Sequence, residues 1–141
     1  MDGKCFTQEK INISNNYINI CGVATAEQLR EALLHSTVYV QPSYIENSPN
    51  SVAEAQILGV PVVATNVGGT SSMVTHGKDG FLFPATDPYM AAYSIKYLID
   101  NKKVNVEIGR HACYTALLRH DKIKIIEQLL NTYKDILNCV G

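Results

Sequence analysis

The sequence lacks several features that would point to particular partners or compartments. No apolar stretch approaches the length of a membrane span, and the first residues, Met1-Asp2-Gly3-Lys4, contain no signal-peptide core. No run of Lys or Arg occurs and the net charge is −1 at pH 7, so nothing favours binding to nucleic acid or to an anionic membrane surface. We therefore expect a cytoplasmic protein without nucleic-acid partners.

The four cysteines, Cys5, Cys21, Cys113 and Cys139, are widely spaced, with no Cys-x-x-Cys pair and no His at the spacing of a zinc site. Cys21 falls in a segment that we predict to be a strand, and Cys113 in one that we predict to be a helix. A free cysteine behaves as a small apolar residue in such places. We therefore expect reduced, structural thiols.

Length and composition fit a single folded unit. The chain has 141 residues, of which 46% are hydrophobic and 18% charged, enough to bury a core without disulfides. No repeat, low-complexity tract or long linker divides it, so we expect one domain over residues 1–141. Residues 1–16 are polar and are predicted to lead into that domain.

The most informative stretch runs from Tyr39 to Gly69 and predicts a strand–helix–strand unit. The β-branched and aromatic run 38–40 predicts a strand that stops near Gln41, because Pro42 follows and proline cannot donate to a ladder. The continuous apolar run 62–64 predicts a second strand, of the kind found in parallel sheets that are covered on both faces.

The helix of this unit has start and stop signals. Ser48 can cap it with its hydroxyl, and Pro49 suits the first helical position, where its missing N–H costs nothing. Gly59 is predicted to close the helix, and Pro61 prevents its continuation.

Two carboxylates, Glu46 and Glu54, belong to this unit. Glu46 precedes the helix, at the edge of the sheet where parallel α/β folds bind ligands, and Glu54 lies about one and a half turns inside the helix. Among apolar neighbours, Glu54 either turns to solvent or serves a ligand, and a carboxylate suits vicinal hydroxyls because it accepts two hydrogen bonds. For a single Glu the solvent-exposed position is the commoner of the two.

The rest of the chain predicts further helices and two short strands. The strands are expected at Ile18, Ile20 and Cys21, ending at Gly22, and at Gly80 to Pro84. Helices are expected over Ala26 to His35 with Thr25 as cap, after the Gly68-Gly69 turn, from the Asp87-Pro88 start, over Val104 to Leu118, and over Asp121 to Leu137. The last three should form a C-terminal helical cap.

Helical spacing also predicts which side chains face inward. In the first helix they are Leu29, Leu33 and Leu34. In the helix that begins at Asp87-Pro88 they are Met90, Ala91, Ile95, Leu98 and Ile99. In the last helix one face carries Ile123, Ile126, Leu129, Leu130, Tyr133 and Leu137.

The histidines and the basic helix junction are predicted to be structural. His76 falls in a turn, and His35 and His111 lie in predicted helices without a partner that would make a catalytic dyad. In Arg119-His120-Asp121, the cation should stabilise the end of one helix and Asp121 should cap the next.

The motifs of the central stretch occur in an order that resembles one known family. Glu46 and Glu54, separated by seven residues, follow Pro42-Ser43 and precede Gly59-Val60-Pro61-Val62-Val63-Ala64 and Gly68-Gly69. This arrangement closely resembles the donor-binding half of retaining, metal-independent glycosyltransferases of the GT-B architecture, the "group 1" family. The resemblance extends over nearly the whole chain.

The resemblance implies an α/β fold: a Rossmann-like parallel sheet flanked by helices, with a C-terminal helical cap, as part of a GT-B C-terminal domain. It implies a nucleoside diphosphate sugar donor, of UDP or GDP type, and neither metal nor cofactor. Glu54 would accept hydrogen bonds from the ribose hydroxyls, and Glu46, the candidate catalytic residue, would lie near the transferred sugar.

Further roles follow from the same resemblance. The N–H groups of Asn50, Ser51 and Val52 would face the diphosphate, and Gly68 and Gly69 would line the opposite wall. Many members of the family carry a Glu where this chain has Ser72.

The resemblance also implies that part of the enzyme lies outside this sequence. The cations that clamp the diphosphate and the domain that holds the acceptor, a glycan or lipid-linked sugar, are not in the chain. Any peripheral membrane contact would be made through that missing domain. We expect the chain to be part of a larger enzyme of polysaccharide biosynthesis, and the isolated chain to show negligible glycosyl transfer.

Three alternatives remain open from the sequence. A sugar-nucleotide epimerase of the same architecture uses similar glycine turns and Glu pairs. A non-catalytic binding module could keep the fold without the chemistry. A flavodoxin-like receiver domain fits poorly, because the acidic cluster at early strand ends and the Lys after a late strand that it needs are absent.

Overall fold

The computed structural model describes residues 21–139. Within them the chain forms three strands and six helices. In chain order these are α1 (Ala26–Leu34), β1 (Tyr39–Gln41), α2 (Asn50–Ile57), β2 (Val62–Thr65), α3 (Thr70–Met73), β3 (Phe81–Phe83), α4 (Pro88–Asp100), α5 (Lys102–Arg119) and α6 (Lys122–Cys139). The predicted leading segment 1–16 and the strand residues Ile18 and Ile20 lie outside the described range.

The three strands form one parallel sheet in the order β1-β2-β3. Tyr39 pairs with Val62 and Val63 with Phe81, so β2 is the central strand of the described part. All four residues of β2 are buried, as the continuous apolar run predicts for a parallel strand covered on both faces. The predicted α/β fold with a Rossmann-like parallel sheet is confirmed.

The core lies on both faces of this sheet, because successive residues of β2 point to opposite sides. Val62 and Ala64 face the helices α2 and α3, where the cluster also contains Leu33, Val52, Ala53, Ala55, Val60, Met73 and Val74. Val63 faces α4 and α5, where it packs with Phe83, Leu98 and Ile108. Helices on both faces of a parallel sheet are the layered arrangement expected for this fold class.

Local start and stop signals are confirmed at three helices. The Thr25 hydroxyl accepts from the Gln28 N–H, and the Gln28 side chain accepts from the Thr25 N–H, forming a capping box. Asp87 Oδ1 accepts from the Met90 N–H at 3.0 Å at the start of α4. Gly59 follows α2 with φ of 73°, a left-handed conformation that glycine adopts without a steric penalty.

The predicted cap of α2 is wrong. Pro49, not Ser48, is the N-cap residue, and it has no side chain that can cap. The Ser48 hydroxyl instead lies 3.7 Å from the Met73 sulfur of the neighbouring helix α3. A contact with a distant part of the chain has therefore taken the hydroxyl that the local pattern assigned to the helix.

The predicted apolar faces of α1 and α4 are less buried than expected. In α1 only Leu33 is buried, whereas Leu29 and Leu34 are exposed. In α4, Met90 and Ile99 are exposed, and Ser94 takes a buried place because its hydroxyl donates to the Met90 carbonyl at 2.9 Å.

Helix α6 departs furthest from the prediction, since it contains no buried residue. The predicted face is exposed throughout, from Leu129 at 51% to Leu137 at 74%. The predicted three-helix cap therefore covers the sheet with α4 and α5 alone, because no described element lies over the apolar face of α6.

The cysteine predictions have mixed outcomes. Cys113 lies in α5, as predicted, and its thiol is 3.1 Å from the Ile57 carbonyl. Cys21 is exposed and lies outside any strand. Cys21, Cys113 and Cys139 are all free thiols.

Helix α5 packs on the turn after α2 through two glycines. A β-carbon on Gly109 would overlap the carbonyl oxygen of Gly59, and it would lie 3.5 Å from the Pro61 ring. The backbones of α5 and of the α2–β2 turn are therefore in direct contact.

Candidate functional site

Glu46 lies in the loop that follows β1, at the carboxyl edge of the sheet, and its carboxylate is held by three donors. Gln41 Nε2 donates to Glu46 Oε2 at 3.2 Å, and the Ser43 hydroxyl lies 3.4 Å from the same oxygen. The Asn47 N–H donates to Oε1 at 3.1 Å. The side chain is partly buried, so the loop presents an oriented carboxylate rather than one free in solvent.

The end of β2 fixes the loop that carries Glu46. The Thr65 hydroxyl donates to the Ser43 carbonyl at 2.6 Å, and Thr65 itself is buried. The carboxyl ends of β1 and β2 are therefore joined by a side chain as well as by the sheet. Parallel α/β folds bind ligands at this edge.

Gly68 and Gly69 lie against this same loop. A β-carbon on Gly68 would overlap the Glu46 carbonyl oxygen, and one on Gly69 would overlap the carbonyl oxygen of Asn47. Gly68 also has φ of 50°, which other residues rarely adopt. Glycine at these two positions allows the backbone of the turn to approach the backbone of the Glu46 loop closely.

The first turn of α2 starts its hydrogen bonding at Val52. The Val52 and Ala53 N–H groups donate to the Pro49 carbonyl, at 3.1 and 3.4 Å. Asn50 and Ser51 precede them, and their N–H groups have no acceptor among residues 21–139, as expected for the first positions of a helix. The Val52 N–H, which is predicted to face the diphosphate, therefore already has an acceptor in the Pro49 carbonyl.

Glu54 is exposed on α2, in agreement with the commoner of its two predicted environments. It borders a groove of about 290 Å³ between α1 and α2, whose other walls are Ala26, Leu29, Arg30, Leu33, Ile57 and Leu58. Arg30 pairs with Glu31 at 2.7 Å, and Glu54 has no ion-pair partner in the described range. The carboxylate is therefore available to a ligand that approaches along this groove.

A second concavity lies at the carboxyl ends of all three strands. It measures about 250 Å³ and includes Val40, Thr65 and Phe83, one residue from each strand. None of the predicted site residues lines it.

Gln41 is a site residue that the sequence analysis did not select. It is the last residue of β1, and its amide contacts Glu46 and Ser43 on one side and Ser51 on the other. A polar residue at the carboxyl end of a strand was the available signal, but such a position alone does not reveal the partners.

Arg119 also has a role beyond its predicted one. Its guanidinium donates to Gln56 Oε1 at 3.1 Å and to the Met73 carbonyl at 2.7 Å, which joins α5 to α2 and α3. Burial lowers the pKa of Arg119, an effect that the nearby Asp79 opposes. The prediction that Asp121 caps the next helix is confirmed, because its Oδ1 accepts from the Ile123 N–H at 3.0 Å at the start of α6.

His76 and Ser72 occupy structural positions. His76 lies in the turn before β3, with Nδ1 3.1 Å from the Leu82 N. The Ser72 hydroxyl donates to the Gly69 carbonyl at 2.7 Å. In the part of the chain that the structure describes, no three His, Cys, Asp or Glu side chains are grouped so as to hold a metal ion.

None of the helices between residues 21 and 139 combines the length and the apolar character that a membrane span requires.

Among curated proteins, the chain is similar to D-inositol 3-phosphate glycosyltransferases. It is 36% identical to the Streptomyces avermitilis protein over 86 residues, which are 61% of this chain and 18% of that protein. It is 33% identical to the Acidothermus cellulolyticus protein over 111 residues, 79% of this chain and 24% of that protein. The chain thus spans about a quarter or less of the length of these relatives.

Among solved structures, the chain is similar to Anabaena Alr3699/HepE in complex with UDP-glucose. The TM-score is 0.69 at 26% sequence identity, over 77% of this chain and 30% of that one.

The family described as "Glycosyl transferases group 1" matches residues 5–113, well over half of the sequence. This match includes the loop with Glu46, helix α2 with Glu54 and the Gly68-Gly69 turn. The chain belongs to the group 1 glycosyl transferases.

Proposed function

We propose that the chain is the donor-binding part of a retaining, metal-independent glycosyltransferase. Its donor is a nucleoside diphosphate sugar of UDP or GDP type, and its acceptor is a glycan or lipid-linked sugar. The acceptor, and any peripheral contact with a membrane, belongs to a domain outside this sequence. Residues 1–141 act as one cytoplasmic domain of an enzyme of polysaccharide biosynthesis, with residues 1–16 leading into it.

The oriented carboxylate of Glu46 carries this proposal. Three donors of the chain hold it in place at the edge of the sheet where such folds bind ligands. A carboxylate fixed in this way can accept a hydrogen bond from a sugar hydroxyl without first becoming ordered, which lowers the entropic cost of binding. In this proposal Glu46 contacts the transferred sugar.

Glu54 and the start of α2 would bind the rest of the donor. Glu54 is exposed and borders the α1–α2 groove, and a carboxylate accepts both hydroxyls of a ribose. The N–H groups of Asn50 and Ser51 precede the intrahelical hydrogen bonds, and a helix N-terminus attracts a diphosphate. Val52 would contribute only after its N–H releases the Pro49 carbonyl. Gly68 and Gly69 would border the pocket through their backbone.

Two similarities of the chain to known proteins support a sugar-nucleotide donor. Residues 5–113 match the group 1 family, and the similar Anabaena protein was solved with UDP and with UDP-glucose. In this proposal the acceptor binds to a domain outside these residues, so we expect the chain by itself to bind the donor but to transfer no sugar at a measurable rate.

Isothermal titration of the chain with UDP, GDP, ADP and UDP-glucose tests the proposal. We expect binding of a uridine or guanosine diphosphate, weakened about tenfold in Glu54→Gln, because one charge-assisted pair of hydrogen bonds is lost. Glu127→Gln, which removes a carboxylate from the exposed helix α6, is the matched control and should bind as the unchanged chain does.

Equal affinities for Glu54→Gln and the unchanged chain would exclude the ribose role. Absence of binding to every nucleotide of the panel would favour a non-catalytic module that has kept the fold. Donor turnover by the chain alone at a readily measured rate would refute the expectation that it is inactive.

A further inference from the structure

Gln41 uses its whole side-chain amide in hydrogen bonds at the candidate site. Its Nε2 donates to the Ser43 hydroxyl at 2.6 Å and to Glu46 Oε2 at 3.2 Å. Its Oε1 accepts from the Ser51 hydroxyl at 3.2 Å and from the Tyr39 hydroxyl. An amide offers two N–H donors and an oxygen with two lone pairs, so all four positions are occupied.

The chemistry of the partners fixes the orientation of this amide. Glu46 as a carboxylate can only accept, so the NH₂ end of Gln41 must face it. The oxygen then faces the hydroxyls of Tyr39 and Ser51, which are able to donate. The reversed amide would place two acceptors against each other at Glu46, and this arrangement is therefore disfavoured.

The amide joins the two parts of the site that come from different elements. Glu46 belongs to the loop after β1, whereas Ser51 lies in the first turn of α2, where the first N–H groups have no acceptor among residues 21–139. Gln41 itself is held by the sheet, since its backbone pairs with Ala64 of β2. The distance between the Glu46 carboxylate and the start of α2 is thus set from a fixed point in the strand.

We propose that Gln41 is a positioning residue that holds the Glu46 carboxylate in the direction required to bind the sugar part of the donor. This inference rests on the proposed function, in which Glu46 contacts the transferred sugar. Gln41 and Ser43 occupy one carboxylate oxygen and the Asn47 N–H occupies part of the other, so the remaining lone pairs face a defined direction. Loss of the Gln41 amide removes one of the three donors and so weakens the restraint on rotation of the carboxylate.

Two substitutions at position 41 separate this role from simple packing. Gln41→Met keeps the length and nearly the shape of the side chain but removes all four hydrogen bonds. Gln41→Glu keeps one oxygen towards Ser51 and Tyr39. Its other carboxylate oxygen faces Glu46, and the two negatively charged groups repel each other. The strand should survive both, because its pairing with β2 uses the backbone. Gln128→Met on the exposed helix α6 is the control.

The decisive measurement is the ratio of affinities for a sugar nucleotide and its nucleoside diphosphate, taken for UDP-glucose against UDP and for GDP-mannose against GDP. For the pair that binds, we expect Gln41→Met to change the affinity for the diphosphate by less than about twofold. The ratio of the affinity for the sugar nucleotide to that for the diphosphate should fall about tenfold. This ratio should fall further in Gln41→Glu and should be unchanged in Gln128→Met. A ratio unaffected by Gln41→Met, or an equal loss for both ligands, would overturn the inference.

A ligand-free measurement tests the contact itself. In a ¹⁵N–¹H correlation spectrum of the full chain, Glu46→Gln should shift the side-chain NH₂ signals of Gln41, and a Gln41 signal that does not move would also overturn the inference. If the unchanged chain binds none of the four nucleotides, the proposed function fails and this inference fails with it. If it binds but the ratio is insensitive to position 41, only the inference fails.

Discussion

Gly68 lies so close to Glu46 that a β-carbon on the glycine would overlap the carbonyl oxygen of the glutamate. The contact joins the turn after β2 to the loop after β1, and so it helps to determine where the candidate catalytic carboxylate lies. Glycine is needed at position 68 both for this approach and for its φ of 50°.

We therefore expect Gly68→Ala to lower the free energy of unfolding by about 3 kcal/mol, because a left-handed alanine and a displaced loop both cost energy. Donor binding should weaken in parallel. Urea unfolding followed by circular dichroism measures the change. Gly22→Ala is the control, since nothing lies within 4 Å of a β-carbon there, and a similar loss in both variants would contradict the prediction.

Arg119→Met should destabilise the protein by about 2 kcal/mol. The substitution leaves the buried Gln56 oxygen without its donor, and an unsatisfied buried polar group costs about 1–3 kcal/mol. The comparison is Arg110→Met on the same helix, where the side chain is exposed and the expected change is below about 0.5 kcal/mol. Equal unfolding midpoints for the two variants would show that the Arg119 contacts contribute little.

Thr70→Val should leave stability unchanged or raise it by about 1 kcal/mol. The Thr70 hydroxyl is buried without a hydrogen-bond partner among residues 21–139, and valine has a similar shape without the polar atom. Urea unfolding measures the effect, with the exposed Thr86→Val as the control. A loss of more than about 1 kcal/mol would indicate that the hydroxyl has a partner after all.

Ending the chain after Asp121 should change the unfolding temperature by only about 2 °C or less, because none of the removed residues that the structure describes is buried. Thermal unfolding followed by circular dichroism tests this. Leu98→Ala gives the contrast, since this fully buried side chain should cost about 3 kcal/mol. A large drop in the truncated chain would show that α6 packs against the domain in solution.

Local sequence signals predicted the ends of helices and strands well where those ends depend on contacts between neighbouring residues. Thr25 and Asp87 cap their helices through atoms three residues away, and Gly59 ends α2 through its own φ angle. The parallel sheet followed from the apolar run of β2, because only a strand covered on both faces needs such a run. These features depend on a few neighbouring residues, all visible in one stretch of sequence.

Features that depend on distant contacts were not predictable in the same way. Ser48 contacts Met73 rather than capping α2, and the overlap of Gly68 with the Glu46 loop arises only once two strands are paired. Helical spacing identified the apolar face of α6 but not whether another element covers it. For Gln41 the residue type was visible, but its partners depend on the geometry of the folded loop.

The contact between Gly59 and Gly109 has a consequence for how the sequence is able to change. Because one backbone rests on the other with no side chain between them, enlarging Gly109 requires the turn at Gly59 to move. Changes at two positions that share a contact are not expected to add in their effects. A side chain at position 109 is therefore tolerated only together with a movement of the turn at Gly59, whereas position 59 is restricted mainly by its own φ of 73°.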